Sequence, residues 1–277
     1  MLGRQLRVVT GSSVPIPAQI TLAEAEALFL QRDGGWYLHG SFPNLVASAS
    51  TLGTIPGNDV ARAMNHMFWD IRTINSLFHR LEWTTQTARL GRIPAEMWRT
   101  YAALDVEHFW IQIRSILDYA AAATAAAAAR PGNVPSSSMN QLVNWLAKKP
   151  SNRDRLGADL AAAVESLPDL PLIKGVRDAV VHHGGLTLVF GEPTEGLRVQ
   201  VYRGNWNPLL KLTDEPTTMV DFRQLASLLL ANELLFLERL AVVITHRLNI
   251  KSIGPATIGP GFDILLQWLK SAQQPAA

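Results

Sequence analysis

The feature that most constrains this chain is a run of apolar residues spaced by three and four, which starts after Asp59 and meets no glycine or proline until Gly91. Such spacing places the apolar side chains along one face of an α-helix. The residues on this face are Val60, Met64, Met67, Phe68, Ile71, Ile74, Phe78 and Leu81. The pattern predicts a long amphipathic helix, which has to bury its apolar face against other elements.

A second long helix is predicted directly after the first. Pro94 suits the first turn of a helix, where proline costs no intrahelical hydrogen bond. The apolar pattern then runs from Trp98 into an alanine-rich segment that ends at Arg130 and Pro131. Alanine is the strongest helix former, so we expect helix in this segment. Because only a short loop around Gly91 separates the two helices, the sequence predicts an antiparallel helical hairpin.

Shorter elements are predicted in the second half of the chain. Proline and glycine divide it into three predicted helices, which are Met139 to Lys148, Asn152 to Leu167 and Leu172 to His183. Two segments rich in valine and leucine, at about 186–190 and 197–202, predict a β-hairpin. A final long amphipathic helix is predicted over Val220 to Leu248.

The predicted fold class is therefore mainly α. Residues 59–250 are expected to form an up-and-down helical bundle, with a small β-hairpin insertion at about 186–202. Residues 1–58 are expected to form an N-terminal extension of mixed structure, and residues 251–277 a loop and a short helix.

Local signals within the N-terminal extension predict a few elements. Arg7 to Thr10 and Trp36 to His39 are expected to be extended. A short helix is expected over Leu22 to Gln31, with Thr21 as its N-cap and Glu24 completing a capping box.

Composition restricts both the chemistry and the compartment. The chain has no cysteine, which excludes disulfides, thiolate nucleophiles and cysteine-ligated metals and is typical of a reducing compartment. Glycine and proline, instead of an apolar stretch, follow Arg4 and Arg7, so no secretory signal is expected. No segment is long and apolar enough to predict a membrane span. We therefore expect a cytoplasmic protein with no membrane partner.

One segment could carry chemistry. The sequence lacks a glycine-rich phosphate loop, a His-Glu-x-x-His zinc motif and a Gly-x-Ser-x-Gly elbow. At the end of the third short helix, however, Arg177 and Asp178 precede His182, His183 and a Gly-Gly pair. Helical geometry places Arg177 and His182 about 140° apart around the axis and about 7.5 Å apart along it. They can border one cleft, and a symmetric dimer can bring together two copies of each.

These residues resemble the motif of the HEPN superfamily, whose members are compact helical bundles. Its motif is an arginine, then a polar residue, then a few residues to a histidine, and Arg177-Asp178-x3-His182 fits it. The segment Arg114 to Tyr119, with sequence RSILDY, is similar to an Arg-x-x-Leu-acidic-aromatic stretch of many bacterial members. The resemblance spans roughly residues 60–250.

The resemblance implies a metal-independent endoribonuclease, in which a ribose 2′-hydroxyl attacks the adjacent phosphate at a homodimer cleft. Toxin–antitoxin systems, antiphage defence and RNA processing are the settings it implies. The expected partners are RNA, a second copy of the chain and a cognate antitoxin or other regulatory protein, and no cofactor or metal is expected.

Residue roles follow from the same resemblance. His182 is the expected general acid or base near neutral pH. Arg177 is expected to hold the scissile phosphate, and Asp178 to orient one of these two side chains. His183 substitutes for His182 if the helix ends one residue later. The substrate-binding candidates are Arg114 and Asp118.

Three alternatives stay open. The first is a catalytically inactive HEPN-like module that binds RNA, a nucleotide or a partner protein. The second is a metal-dependent helical-bundle hydrolase, whose ligands would come from the histidines of the long helices and from Asp105, Glu107 or Asp118. The third is a structural role for Arg177 and His182, because the C-terminal end of a helix favours positive charge.

Overall fold

The fold was described from a computed structural model of the chain. The described residues are 16–49, 53–130, 132–167, 169–182, 189–202, 217–251 and 256–273. The helices in these residues are α1 (Ile16–Glu26), α2 (Ser41–Ala49), α3 (Ile55–Arg89), α4 (Ala95–Ala126), α5 (Met139–Lys148), α6 (Pro150–Leu156), α7 (Ala158–Glu165), α8 (Leu170–His182), α9 (Phe222–Arg247) and α10 (Asp263–Gln273). The strands are β1 (Phe29–Arg32), β2 (Gly35–His39), β3 (Val189–Phe190), β4 (Arg198–Tyr202), β5 (Thr217–Asp221) and β6 (Thr257–Ile258). The chain is mainly helical, as its sequence predicts.

The long helical hairpin of α3 and α4 is the frame of the molecule. The side chain of Thr54 caps α3 by accepting a hydrogen bond from the backbone nitrogen of Gly57 at 3.2 Å, so α3 starts before the predicted Asp59. Pro94 is the N-cap of α4. The two helices pack along their length. The predicted antiparallel pair is confirmed, although α4 ends at Ala126 and not at Arg130.

The core of the bundle is built around α9. This helix packs against α1, α2, α4, α7 and α10, and buried residues occur on nearly all of its sides. A helix that is apolar all round belongs in the interior, which explains its run of leucines and alanines. The single core cluster also includes Leu22 and Phe42 from the first 58 residues, together with Trp268 from α10.

Two of the N-terminal predictions are wrong. Thr21 lies inside α1, because Pro17 is accepted in the first turn of a helix and does not break it. The predicted helix over Leu22 to Gln31 ends at Glu26 and gives way to β1, which pairs with β2 through a two-residue turn. Both turn residues, Asp33 and Gly34, have positive φ, as a type I′ turn requires. The predicted extended segment at Trp36 to His39 is part of β2, and Arg7 to Thr10 lies outside the described residues.

The helix predicted over Asn152 to Leu167 is divided in two. The chain turns at Gly157, whose φ is +102°, between α6 and α7. Only glycine adopts this conformation readily, so the glycine marks a break that the surrounding helix formers conceal. The α5 prediction, Met139 to Lys148, is confirmed.

The predicted β-hairpin is present as β3 and β4, and a third strand was missed. Val189 pairs with Val199, and β4 also pairs antiparallel with β5 along its whole length. Because β5 ends at Asp221, the last long helix begins at Phe222 and not at Val220. Within the described residues, no helix is long and apolar enough to cross a membrane.

Candidate functional site

The helix α8 carries the predicted motif. Arg177, Asp178 and His182 all lie in α8, which has His182 as its last residue. Asp178 is half-buried. His183 and the Gly-Gly pair after it lie outside the described residues, as do the side chains of Arg177 and His182. The backbone from Arg177 to His182 is therefore helical.

The helix α8 and the β3–β4 hairpin share a packing partner. The helix packs against α4, and β3 packs against α4 as well. The hairpin is fixed there because Arg99 donates to the carbonyl oxygen of Gly191 at 3.3 Å and forms a 2.9 Å ion pair with Glu192. Arg89 of α3 donates to the carbonyl oxygen of Pro193 at 2.5 Å. The turn that follows β3 is therefore held beside the first turns of α4.

The substrate-binding candidates Arg114 and Asp118 lie together on α4. They form an i,i+4 ion pair with an N–O distance of 3.0 Å, and the Arg114 side chain is only 9% exposed. Arg114 also donates to Ser138 Oγ at 2.7 Å, and Asp118 accepts from the backbone nitrogen of Met139 at 3.0 Å. The geometry gives the pair a positioning role at the start of α5, and its contact with a substrate stays a prediction.

Two buried acids lie between α8 and α9, and the sequence analysis did not single them out. Asp169, directly before α8, and Glu233 of α9 are both essentially inaccessible to solvent. Asn232 donates to Asp169 Oδ2 at 2.5 Å. Burial raises the pKa of Asp169 to about 7, against the opposing effect of this hydrogen bond. The polar pair Asn232-Glu233 interrupts an apolar helix, which is the signal that points to a buried polar cluster.

The carboxyl group of Glu233 lies in an environment that disfavours its charged form. Burial raises its pKa well above the usual range, the charge of Asp169 raises it further, and the charge of Arg114 lowers it. Among the described residues neither carboxyl oxygen of Glu233 has a hydrogen-bond partner. A carboxyl group in such a place is held in its neutral form.

A second polar cluster lies where α3 and α4 meet. Asp70 is half-buried, and its pKa is raised by burial against the opposing effects of a hydrogen bond with Ser115 and of His66 and His108. The His66 ring stacks on Tyr119 with a centroid distance of 4.6 Å and an interplanar angle of 10°. Both rings line an open cleft of about 430 Å³, whose other residues are Asp59, Arg62, Ala63, Ala122, Ala125, Ala126, Val134 and Ser136.

The histidines of the long helices do not gather into a metal centre. No group of three or more histidine, aspartate or glutamate side chains in the described parts of the chain is arranged to hold a metal ion. His108 is instead 3.0 Å from the Gln112 side-chain nitrogen, one turn along α4.

Comparison with known proteins adds no further assignment. No family model matches the chain, and neither a curated protein nor a solved structure is similar to it. The interpretation of the site therefore depends on its own residues.

Proposed function

We propose that this chain is a HEPN-like, metal-independent endoribonuclease that acts as a homodimer, with Arg177 and His182 at the reacting phosphate. The observation that supports this most is the course of α8. Arg177, Asp178 and His182 share one helix, His182 is its last residue, and the helix belongs to a mainly helical bundle. Asp178, which is half-buried, fills the polar position of the motif.

The chemistry of these residue types suits RNA cleavage. His182 removes the proton from a ribose 2′-hydroxyl, or donates one to the departing 5′-oxygen. The 2′-oxygen forms a bond to phosphorus while the bond to the 5′-oxygen breaks, which leaves a 2′,3′-cyclic phosphate and a 5′-hydroxyl. Arg177 binds the non-bridging phosphate oxygens and stabilises the charge that develops on them. No metal ion enters this scheme.

The test is cleavage of single-stranded RNA by purified protein in the presence of a chelator. Mass spectrometry of the products should find 2′,3′-cyclic phosphate ends. His182→Ala and Arg177→Ala should each lower the rate by about 100-fold or more, the usual worth of an acid–base or charge-stabilising group. Unchanged cleavage by both variants would overturn the assignment.

Matched controls come from α3. Arg72 and His79 form another Arg-to-His pair on an exposed helical surface. Arg72→Ala and His79→Ala should cleave RNA at the wild-type rate. If the wild-type protein binds RNA in a salt-dependent way but yields no product, the chain is a binding module of the same fold and not a nuclease.

A further inference from the structure

The outward face of α4 has an apolar stripe with coiled-coil spacing. Its members alternate at intervals of four and three residues, and they are Met97, Tyr101, Leu104, His108 and Ile111. We call this set the α4 stripe. The exposed fractions are 43% for Met97, 41% for Tyr101, 57% for Leu104 and 40% for Ile111, and His108 is half-buried. The rest of the α4 surface packs on α3, α5, α8, α9 and β3, whereas no described residue covers the exposed parts of the stripe.

Such an exposed stripe is unusual in a helix that lies in a bundle. Alternation of four and three residues keeps side chains in one line along a helix, and in coiled coils this line is the seam between two helices. The α4 stripe has no aspartate, glutamate, lysine or arginine. Interface centres are likewise depleted of charge and enriched in tyrosine and methionine.

We propose that the α4 stripe is the surface on which a second copy of this chain docks, with the two α4 helices antiparallel about a two-fold axis at Leu104. The proposed function supplies only the expectation that two copies meet. The choice of surface depends on α4 itself.

The two ends of the stripe are equally far from Leu104, so the stripe can pair with an antiparallel copy of itself. Met97 is seven residues before Leu104 and Ile111 is seven residues after it. A two-fold axis at Leu104 therefore places Met97 of one copy against Ile111 of the other, and Leu104 against Leu104. Tyr101 and His108, three residues before and four after, are displaced by one residue from this symmetric relation and lie near each other across the axis. The stripe is thus self-complementary, as an isologous interface requires.

The size of the exposed surface also fits a dimer. Two tryptophans on the neighbouring helix α3, Trp69 and Trp83, are 60% and 67% exposed. Together with the four large apolar residues of the stripe they expose roughly 600 Å², taking about 200 Å² for a fully accessible large side chain. A typical stable interface uses about 800 Å² from each partner, and the exposed apolar side chains of these two adjacent helices amount to most of that area.

Docking across the α4 stripe has a consequence for α8. Because α8 packs against the same helix, each copy of α8 would be in contact with an interface helix. A dimer of this kind would bring the two motif-bearing helices into one assembly.

The first test is the oligomeric state of the full chain, measured by analytical ultracentrifugation. The wild-type protein should be a dimer. Leu104→Glu should weaken association by about 100-fold or more, because the two-fold axis desolvates two carboxylates at once. The matched control is Ile20→Glu on α1, since Ile20 is 55% exposed and Leu104 is 57% exposed. Ile20→Glu should remain dimeric, and circular dichroism should show that both variants keep their helices.

The second test uses the absence of cysteine from the chain. Under mild oxidation Leu104→Cys should form a disulfide-linked dimer, whereas Ile20→Cys should not. A mixture of Met97→Cys and Ile111→Cys proteins should give a mixed dimer, whereas either protein alone should not cross-link.

Two outcomes would overturn the proposal. The first is a monomeric wild-type protein. The second is a dimer that persists in Leu104→Glu and is not cross-linked in Leu104→Cys. Cross-linking of Met97→Cys with itself would overturn the antiparallel arrangement. Neither test measures RNA cleavage. An inactive dimer would refute the nuclease proposal and leave the interface intact. An active monomer would refute the interface and leave the cleaving role of Arg177 and His182 intact.

Discussion

Replacing Asp169 by asparagine should stabilise the protein, and the gain should increase with pH. The carboxyl group of Asp169 is fully buried before α8, and its pKa is raised from 3.8 to about 7 by burial. Between these two values the folded chain retains a proton that the unfolded chain has released. The free energy of unfolding of the wild-type protein therefore falls as pH rises through this window. Asparagine keeps the shape of the side chain and removes the titration.

The magnitude follows from the difference between the two pKa values. One pKa unit corresponds to about 1.4 kcal/mol, so the shift of Asp169 amounts to about 4 kcal/mol between pH 4 and pH 7. The side-chain oxygen of the new asparagine can still accept the hydrogen bond from Asn232, which in the wild-type protein has a length of 2.5 Å. The stability difference between variant and wild type should thus widen with pH and level off above about pH 7.

The assay is urea unfolding followed by tryptophan fluorescence at a series of pH values. Asp159→Asn provides a comparison of opposite sign, because a hydrogen bond from Arg247 lowers the pKa of Asp159. This variant should lose stability relative to wild type as pH rises from the lowered pKa of Asp159 to the ordinary value of 3.8, and the loss should stay constant above that pH. A difference between Asp169→Asn and wild type that is the same at every pH would refute the assignment of Asp169 as a buried, titrating acid.

Three further variants test other contacts by the same unfolding assay. Gly157→Ala should cost about 2 kcal/mol or more, because φ is +102° there, whereas Gly132→Ala, where an added methyl group meets nothing within 4 Å, should be nearly neutral. Arg114→Ala should cost about 3 kcal/mol, because it removes a buried partner from an ion pair, whereas Arg62→Ala at an exposed pair should change stability by less than about 0.5 kcal/mol. Glu233→Gln should stabilise the protein increasingly as pH rises, since burial raises the pKa of this carboxyl group. A stability difference between variant and wild type that is constant or decreases with pH would contradict this.

Helical spacing was the most reliable guide to the fold. The apolar residues after Asp59 gave the hairpin of α3 and α4, because amphipathic periodicity over so many turns has few other solutions. Local breaks were harder to predict. Gly157 ends one helix and starts another within a stretch of strong helix formers, and the choice between a tolerated and a breaking glycine is made by packing around it.

Turn chemistry explains the errors near the N-terminus. The dipeptide Asp33-Gly34 is a strong hairpin signal, and the turn it forms explains why β1 replaces the end of the predicted helix. The helix α1 begins at Ile16, before the predicted cap at Thr21, because Pro17 is accepted in the first turn of a helix.

Burial of polar groups could not be read from spacing alone. Arg114 and Asp118 are four residues apart, which predicts a helical ion pair. Only the fold shows that both side chains form hydrogen bonds with residues at the start of α5. Asp169 precedes α8 with no periodic signal around it, and its partner Asn232 is distant in sequence. A polar residue inside an apolar helix, as at Glu233, is the one local feature that indicates such a cluster.

The helix α8 has the buried acid Asp169 just before its first residue and the motif residues toward its last. Asp169 and its hydrogen bond from Asn232 hold the start of the helix against α9, and Arg177 and His182 lie toward the other end. Ionisation of Asp169 places a negative charge beside the buried, neutral carboxyl group of Glu233, which disfavours burial of that start. We therefore expect the docking of α8 to loosen as pH rises past 7, while α3 and α4 stay protected.

Amide hydrogen exchange, corrected for the pH dependence of the intrinsic rates, measures this difference directly. Protection of α8 should fall with pH in the wild-type protein and hold constant in Asp169→Asn. An equal change across α3, α4 and α8 would mean that the titration acts only on global unfolding. A fall confined to α8 would mean that a buried acid at one end of the helix controls how firmly the motif at its other end is held.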